Sequence, residues 1–267
     1  MVRNKIMKRG YVMRPTKKVA IVMMICCFVL CGANSTKAEA RDYGKKKYDQ
    51  TRWNDIKDNY LNTKTDRLIF VKYKGDSNAT VEMWKKIKIS SGDLTNNEST
   101  EQLMDTNCEY DEYQWEKIIS CNAYVGQNGI HKEKQGDRKT PVGIYNITMA
   151  FGRRKSPGTA GISYTKLNKY HYWSAEKETY NTFVDVRTLG RRQMDGEHLI
   201  DYNPWYNYSL AIDYNKKCTY LKGSAIFLHC EGGGRTYTMG CIAVSEKSMK
   251  KIVKNTTRHT KICIYKE

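Results

Sequence analysis

The stretch LHCEGGGRTYTMGCIAV, Leu228 to Val244, gathers one histidine and two cysteines around three consecutive glycines. SAIFLHC (224–230) reads as one strand and TMGCIAV (238–244) as the next. The glycine-rich loop between them reads as a reversal of the chain, giving a hairpin that sets His229 beside Cys241. A cysteine nucleophile works as a thiolate and needs a neighbouring base to become one. It also needs backbone N–H groups aimed at the oxyanion that forms on the attacked carbonyl. Cys241 is therefore the candidate nucleophile and His229 the candidate base. Gly240 permits a sharp turn with its amide exposed, so the amides around Met239, Gly240 and Cys241 are the candidate oxyanion donors. Successive strand residues point to opposite faces, so only one of His229 and Cys230 can face Cys241. The same alternation argues against a zinc site made of His229, Cys230 and Cys241, and no C-x-x-C spacing occurs in the chain. No metal and no cofactor is expected. The bland alternative is that Cys241 is a small buried hydrophobe, the commonest fate of a lone cysteine.

Working outward, short apolar runs recur with turn residues between them. RLIFVKYK (67–74) and ATVEMWKKIKI (79–89) flank Gly75-Asp76-Ser77-Asn78, a hairpin signal. YQWEKIISCNAYVG (113–126), TPVGIYNITMAFG (140–152), TFVDVRTLG (182–190), SLAIDYN (209–215) and KICIYKE (261–267) continue the pattern. One segment reads as a convincing helix, SEKSMKKIVKNT (245–256), with Ser245 as N-cap and Met249, Ile252 and Val253 at helical spacing. The expected class is mainly β: a curved β-sandwich or open barrel with one or two short helices. Residues 66–267 are long enough to bury a core as one domain. Residues 41–65 are polar and charged, and read as a linker or a loosely packed helix.

The first 40 residues have a basic start, an apolar run from Val19 to Cys31 and an Ala38-Glu39-Ala40 exit. That is a signal-peptide layout, and the run is shorter than the ~20 residues of a membrane span. Export with cleavage near Ala40 is the expectation. Bulky Phe28-Val29-Leu30 argues against a lipoprotein exit at Cys31. The whole chain carries 46 basic and 28 acidic residues. Without the eight basic residues and one acidic residue of 1–40, these become 38 and 27, about +11. No nucleic-acid recognition module accompanies this charge, so nucleic acid is not an expected partner. Anionic cell-wall polymers suit an exported basic protein better. Six cysteines lie beyond the leader, and Cys108 with Cys121 is the natural local pair. Oligomeric state is not readable.

AIFLHC (225–230), followed twelve positions after His229 by the cysteine of TMGCIAVSE (238–246), resembles the L,D-transpeptidase catalytic domain, the YkuD-like family. GDRKTPVGIYNITMAFG (136–152) is similar to that family's Gly-Asp, Thr-Pro-x-Gly segment. EHLIDYNPWYNYSLAIDYN (197–215) resembles the approach to the catalytic strands in its Gram-positive members. The three blocks arrive in the family's order and span roughly residues 67–266. The resemblance implies Cys241 as nucleophile and His229 as general base. It implies peptidoglycan stem tetrapeptides as donors, with release of D-Ala and a 3→3 cross-link. Water in place of the acceptor amine would make an L,D-carboxypeptidase, and a wall-binding module without chemistry would keep the fold alone.

Two positions depart from the family pattern. Met239 stands where many members have a second histidine, and Ala243 where many have Arg or Asn. His198 is the candidate replacement for the missing ring. Arg235, Tyr237 and Thr238, in the loop before Cys241, are candidates for contact with the substrate or for second-layer support.

Overall fold

The computed structural model describes residues 53–89 and 112–267. The leader and its cleavage point, the start of the linker and Cys108 lie outside the described residues. Twelve strands and two α-helices make up the described chain. Strands β1 (Arg67–Gly75), β2 (Asn78–Lys88), β3 (Tyr113–Tyr124) and β4 (Gly143–Gly152) come first, after helix α1 (Trp53–Leu61). β5 (Tyr164–Lys166) follows, then β6 (His171–Ser174), β7 (Phe183–Asp185) and β8 (Gly196–His198). β9 (Ser209–Ile212), β10 (Phe227–Cys230), β11 (Ile242–Val244), α2 (Glu246–Asn255) and β12 (Thr260–Lys266) complete the chain.

The main sheet runs β12-β1-β2-β3-β11-β10-β9-β4-β5, and β4 also pairs with β12. That extra pairing closes eight strands into a barrel with β5 attached, in keeping with the mainly β, curved sandwich or open-barrel class expected. Closure leaves those eight strands no free edge along the paired runs. Ile69, Val81, Met83, Ile147, Leu210, Leu228, Ile242, Ile262 and Ile264 form one buried cluster drawn from around the ring. Helix α2 adds Met249, Ile252 and Val253 to it. Ser245 caps this helix as its sequence suggests, accepting from the Ser248 N–H at 3.2 Å.

β1 and β12 are apolar on both faces because both faces are covered. Ile69 and Val71 enter the central cluster, while Leu68 and Phe70 pack with Cys263, Tyr265 and Ile56 of α1. Residues 53–61, within the stretch read as a linker or loosely packed helix, form a helix anchored on the sheet through Ile56, 1% exposed. Burying that side chain stabilises the contact by roughly 1.5–3 kcal/mol. A second, three-stranded sheet, β7-β6-β8, lies beside the barrel. Phe151, Trp173, Leu199, Tyr206 and Phe227 fill the space between the two sheets. No helix of the described residues is long and apolar enough to cross a membrane.

Candidate active site

The loop between β10 and β11 does not make a hairpin. The two strands run parallel, with Leu228 opposite Ile242 and His229 opposite Ala243. A parallel pair needs a crossing connection rather than a tight turn. Which way the side chains face is unaffected, because strand neighbours still alternate. Leu228, Cys230, Ile242 and Val244 enter the central core. Phe227, His229, Cys241 and Ala243 share the other face. Cys241 sits one position before the paired run, and the Phe227 N–H opposite it donates to Sγ at 3.4 Å. His229 is then its diagonal neighbour, roughly 8 Å away between Cα atoms by strand spacing and rise.

Both side chains line a cavity of about 280 Å³ with Glu197, Tyr202, Trp205, Tyr206 and Lys132. His229 donates from Nδ1 to the Cys230 carbonyl at 2.8 Å. A carbonyl only accepts, so this bond fixes the proton on Nδ1 and the lone pair on Nε2. Burial pushes the imidazole down to about 4, so the ring is neutral at pH 7. Burial pushes the Cys241 thiol up to about 12, and the Glu197 charge adds to the rise. The thiol donates to the Ala225 carbonyl at 3.2 Å. The resting pair is thus neutral on both sides, and Sγ is held between two backbone groups, the Phe227 N–H and the Ala225 carbonyl.

The backbone around Cys241 is tightly held. Its carbonyl accepts from Thr238 Oγ1 at 2.7 Å and from Thr140 Oγ1 at 3.1 Å. Thr140 also accepts from the Gly126 N–H at 2.8 Å. Gly240 has φ of +135°, and a Cβ there would lie 2.9 Å from the Lys139 carbonyl oxygen. The glycine is required by conformation and by space. Its N–H, expected to face an oxyanion, is already donated to Thr238 Oγ1 at 3.1 Å. Met239 lines the cavity and is 55% exposed. A Cβ at Gly232 would lie 2.7 Å from Pro204 and 3.1 Å from Trp205, and Gly233 combines a φ of +64° with a Trp205 contact at 3.1 Å. The glycine run lets the crossing loop lie against that indole.

Arg235, Tyr237 and Thr238 all line the cavity, and the Arg235 guanidinium lies 5.6 Å from the Trp205 ring centre. His198 does not line it. Its Nδ1 bonds Asp201 at 2.7 Å, its Nε2 bonds the Lys169 carbonyl at 2.9 Å, and its ring stacks on Tyr172. The cavity receives the preceding residue, Glu197, instead. Tyr206 donates to Glu197 Oε2 at 2.6 Å and packs edge-on against His229 at 5.6 Å. Burial raises the Glu197 carboxyl to about 7.

Lys132 is a second residue that the charged run HKEKQGDRK concealed. Its side chain is 3% exposed and pairs with Asp137 at 2.7 Å. Burial favours a protonated Asp137, but Lys132 and three backbone amides outweigh it and hold the carboxyl at about 2. Asp137 thereby pins the 132–139 loop beside the cysteine. Its signal was the Gly-Asp pair ahead of Thr140-Pro141.

The YkuD model, described as the L,D-transpeptidase catalytic domain, matches residues 61–264. No curated protein matches the chain. Barrel, crossing loop and the matched span agree: the chain belongs to the L,D-transpeptidase catalytic domain family.

Proposed function

We propose that the protein is an exported peptidoglycan L,D-transpeptidase in which Cys241 is the nucleophile and His229 the general base. The observation that carries this reading is that His229 and Cys241 share one face of the strand pair and line one 280 Å³ cavity. A cavity near 300 Å³ is the lower end of the range for small-ligand sites.

The neutral resting pair makes deprotonation part of the attack. A bound tetrapeptide brings its carbonyl to Sγ, the thiol proton passes to His229 Nε2, and the S–C bond forms. The amides of Met239 and Cys241 receive the oxyanion, since that of Gly240 is engaged by Thr238. His229 then gives its proton to the D-Ala nitrogen, the C–N bond breaks, and a thioester remains on Cys241. Lys132 favours the developing thiolate, and the Thr140 and Thr238 hydroxyls hold the peptide that carries it. The chain beyond residue 40 is basic by about eleven charges, which suits a wall rich in anionic polymers.

Incubation with muropeptide tetrapeptides tests the reading. A cross-linked dimer lighter by one D-Ala is the expected product. A tripeptide alone assigns carboxypeptidase activity, and no product with retained wall binding assigns a module without chemistry.

A further inference from the structure

We propose that Glu197 is a second catalytic base, the residue that binds the cationic acceptor amine and takes a proton from it. The inference rests on the transpeptidase reading and names the group that reading lacks.

The need follows from counting protons. An acceptor side-chain amine has an ordinary pKa near 10.4, so at pH 7 fewer than about one in a thousand molecules carries a lone pair. To become an amide nitrogen, the ammonium loses two protons while the C–N bond forms and the C–S bond breaks. His229 takes one and returns it to the departing sulfur, which restores the thiol. The other proton needs a second acceptor.

Glu197 meets the requirement by position. It lines the same cavity as Cys241 and His229, and its charge is felt at Sγ. Tyr206 fixes it through Oε2 with one bond, while a carboxylate has about four acceptor sites. The other charged groups lining the cavity fit the role less well. Lys132 is paired to Asp137, Arg138 bonds the Gln127 side chain at 2.9 Å, and Arg235 lies over Trp205. Glu231 is the rival carboxylate, but its charge acts on Cys121 and Cys230, thiols away from the reacting sulfur.

The step therefore runs as a balanced exchange. Glu197 carboxylate accepts a proton from the ammonium ion, the freed amine attacks the thioester, and Glu197 later releases the proton to solvent. An acceptor that is already neutral at pH 7, such as hydroxylamine, has no use for this base.

The test compares the wild-type chain with Glu197→Gln, Glu231→Gln and Tyr206→Phe. Acyl-enzyme formation from a tetrapeptide is read by intact mass, and its resolution by a lysine-type amine and by hydroxylamine. In Glu197→Gln, acylation and hydroxylamine resolution stay within about threefold, while amine cross-linking at pH 7 falls about 10²-fold and recovers as pH rises. Glu231→Gln keeps the wild-type ratio of amine to hydroxylamine resolution. Tyr206→Phe removes a bond that favours the charged carboxylate, so the acid limb of cross-linking moves to higher pH. Equal slowing with both acceptors, loss of acylation in Glu197→Gln, or unchanged cross-linking overturns the proposal. An acyl-enzyme missing already from the wild type overturns the transpeptidase reading itself.

Discussion

Cys230 and Cys241 lie on strands that pair with each other and point to opposite faces. At rest they are nearly alike. Burial pushes both thiols up to about 12, and each donates to a backbone carbonyl, Tyr208 for Cys230 and Ala225 for Cys241. What separates them is company. Cys230 touches the barrel core, whereas Cys241 shares a cavity with an imidazole, a carboxyl and an ammonium group. Resting thiol acidity therefore does not distinguish the two cysteines. The face of the strand does, because it decides whether a base and a substrate carbonyl can reach the sulfur.

The comparison breaks most directly by substitution on each face. Cys241→Ser is expected to lower acyl-enzyme formation by roughly 10⁴-fold or more, measured by single-turnover mass spectrometry. Cys230→Ser leaves turnover within a few-fold and shows instead as lost stability in urea unfolding. Comparable loss of turnover from both variants contradicts the division of faces. His229→Ala is next, slowing acylation by about 10²–10⁴-fold with the circular dichroism spectrum unchanged.

Core-side and backbone changes sharpen the contrast at smaller scale. Leu228→Ala, next to His229 but pointing inward, is expected to cost about 2–5 kcal/mol of stability and to leave kcat per folded molecule nearly unchanged. Gly240→Ala has both a left-handed φ and a close carbonyl against it, costing on the order of 1–3 kcal/mol. It is expected to lower activity as well, because Cys241 moves with it.

The smallest effects lie in the pH dependence of stability. The folded His229 has its value depressed to about 4, so the unfolded chain gains a proton first as pH falls below 6.5. Its contribution is full above 6.5 and is lost toward pH 4. The folded Glu197 has its value raised to about 7, so its contribution is full below 4.5 and is lost as pH rises through 7. The two slopes oppose each other between pH 4.5 and 6.5. Each amounts to at most about 3 kcal/mol over its range. His229→Asn should therefore leave stability falling with rising pH in this window, and Glu197→Gln should leave it rising. Parallel slopes in the two variants contradict the assignment.

Much of the barrel was legible because its strands advertise themselves. The runs at 67–74 and 79–89 and the Ser245-capped helix appear almost where the residue pattern sets them. The direction of β11 was not legible, since alternation records which way side chains face and not which way a strand runs. That error leaves His229 and Cys241 on a common face, because pairing in either direction preserves the face. Strand β6 was hidden: His171 to Ser174, fully buried like β9 and β10, lacks the aliphatic residues that mark those two strands. Glu197 was passed over for His198 because an imidazole draws attention that a lone glutamate in a loop-like segment does not. Only the fold shows that β8 turns the glutamate toward the cavity and the histidine toward Tyr172.

The most direct measurement is to quench the protein during reaction with a stem tetrapeptide and map the acylated residue by peptide mass spectrometry. A tripeptide acyl group on Cys241, with D-Ala released in equal amount and no adduct in His229→Ala on the same timescale, is the expected result. An adduct on Cys230 or Cys121, or acylation of Cys241 at an undiminished rate without His229, contradicts the account.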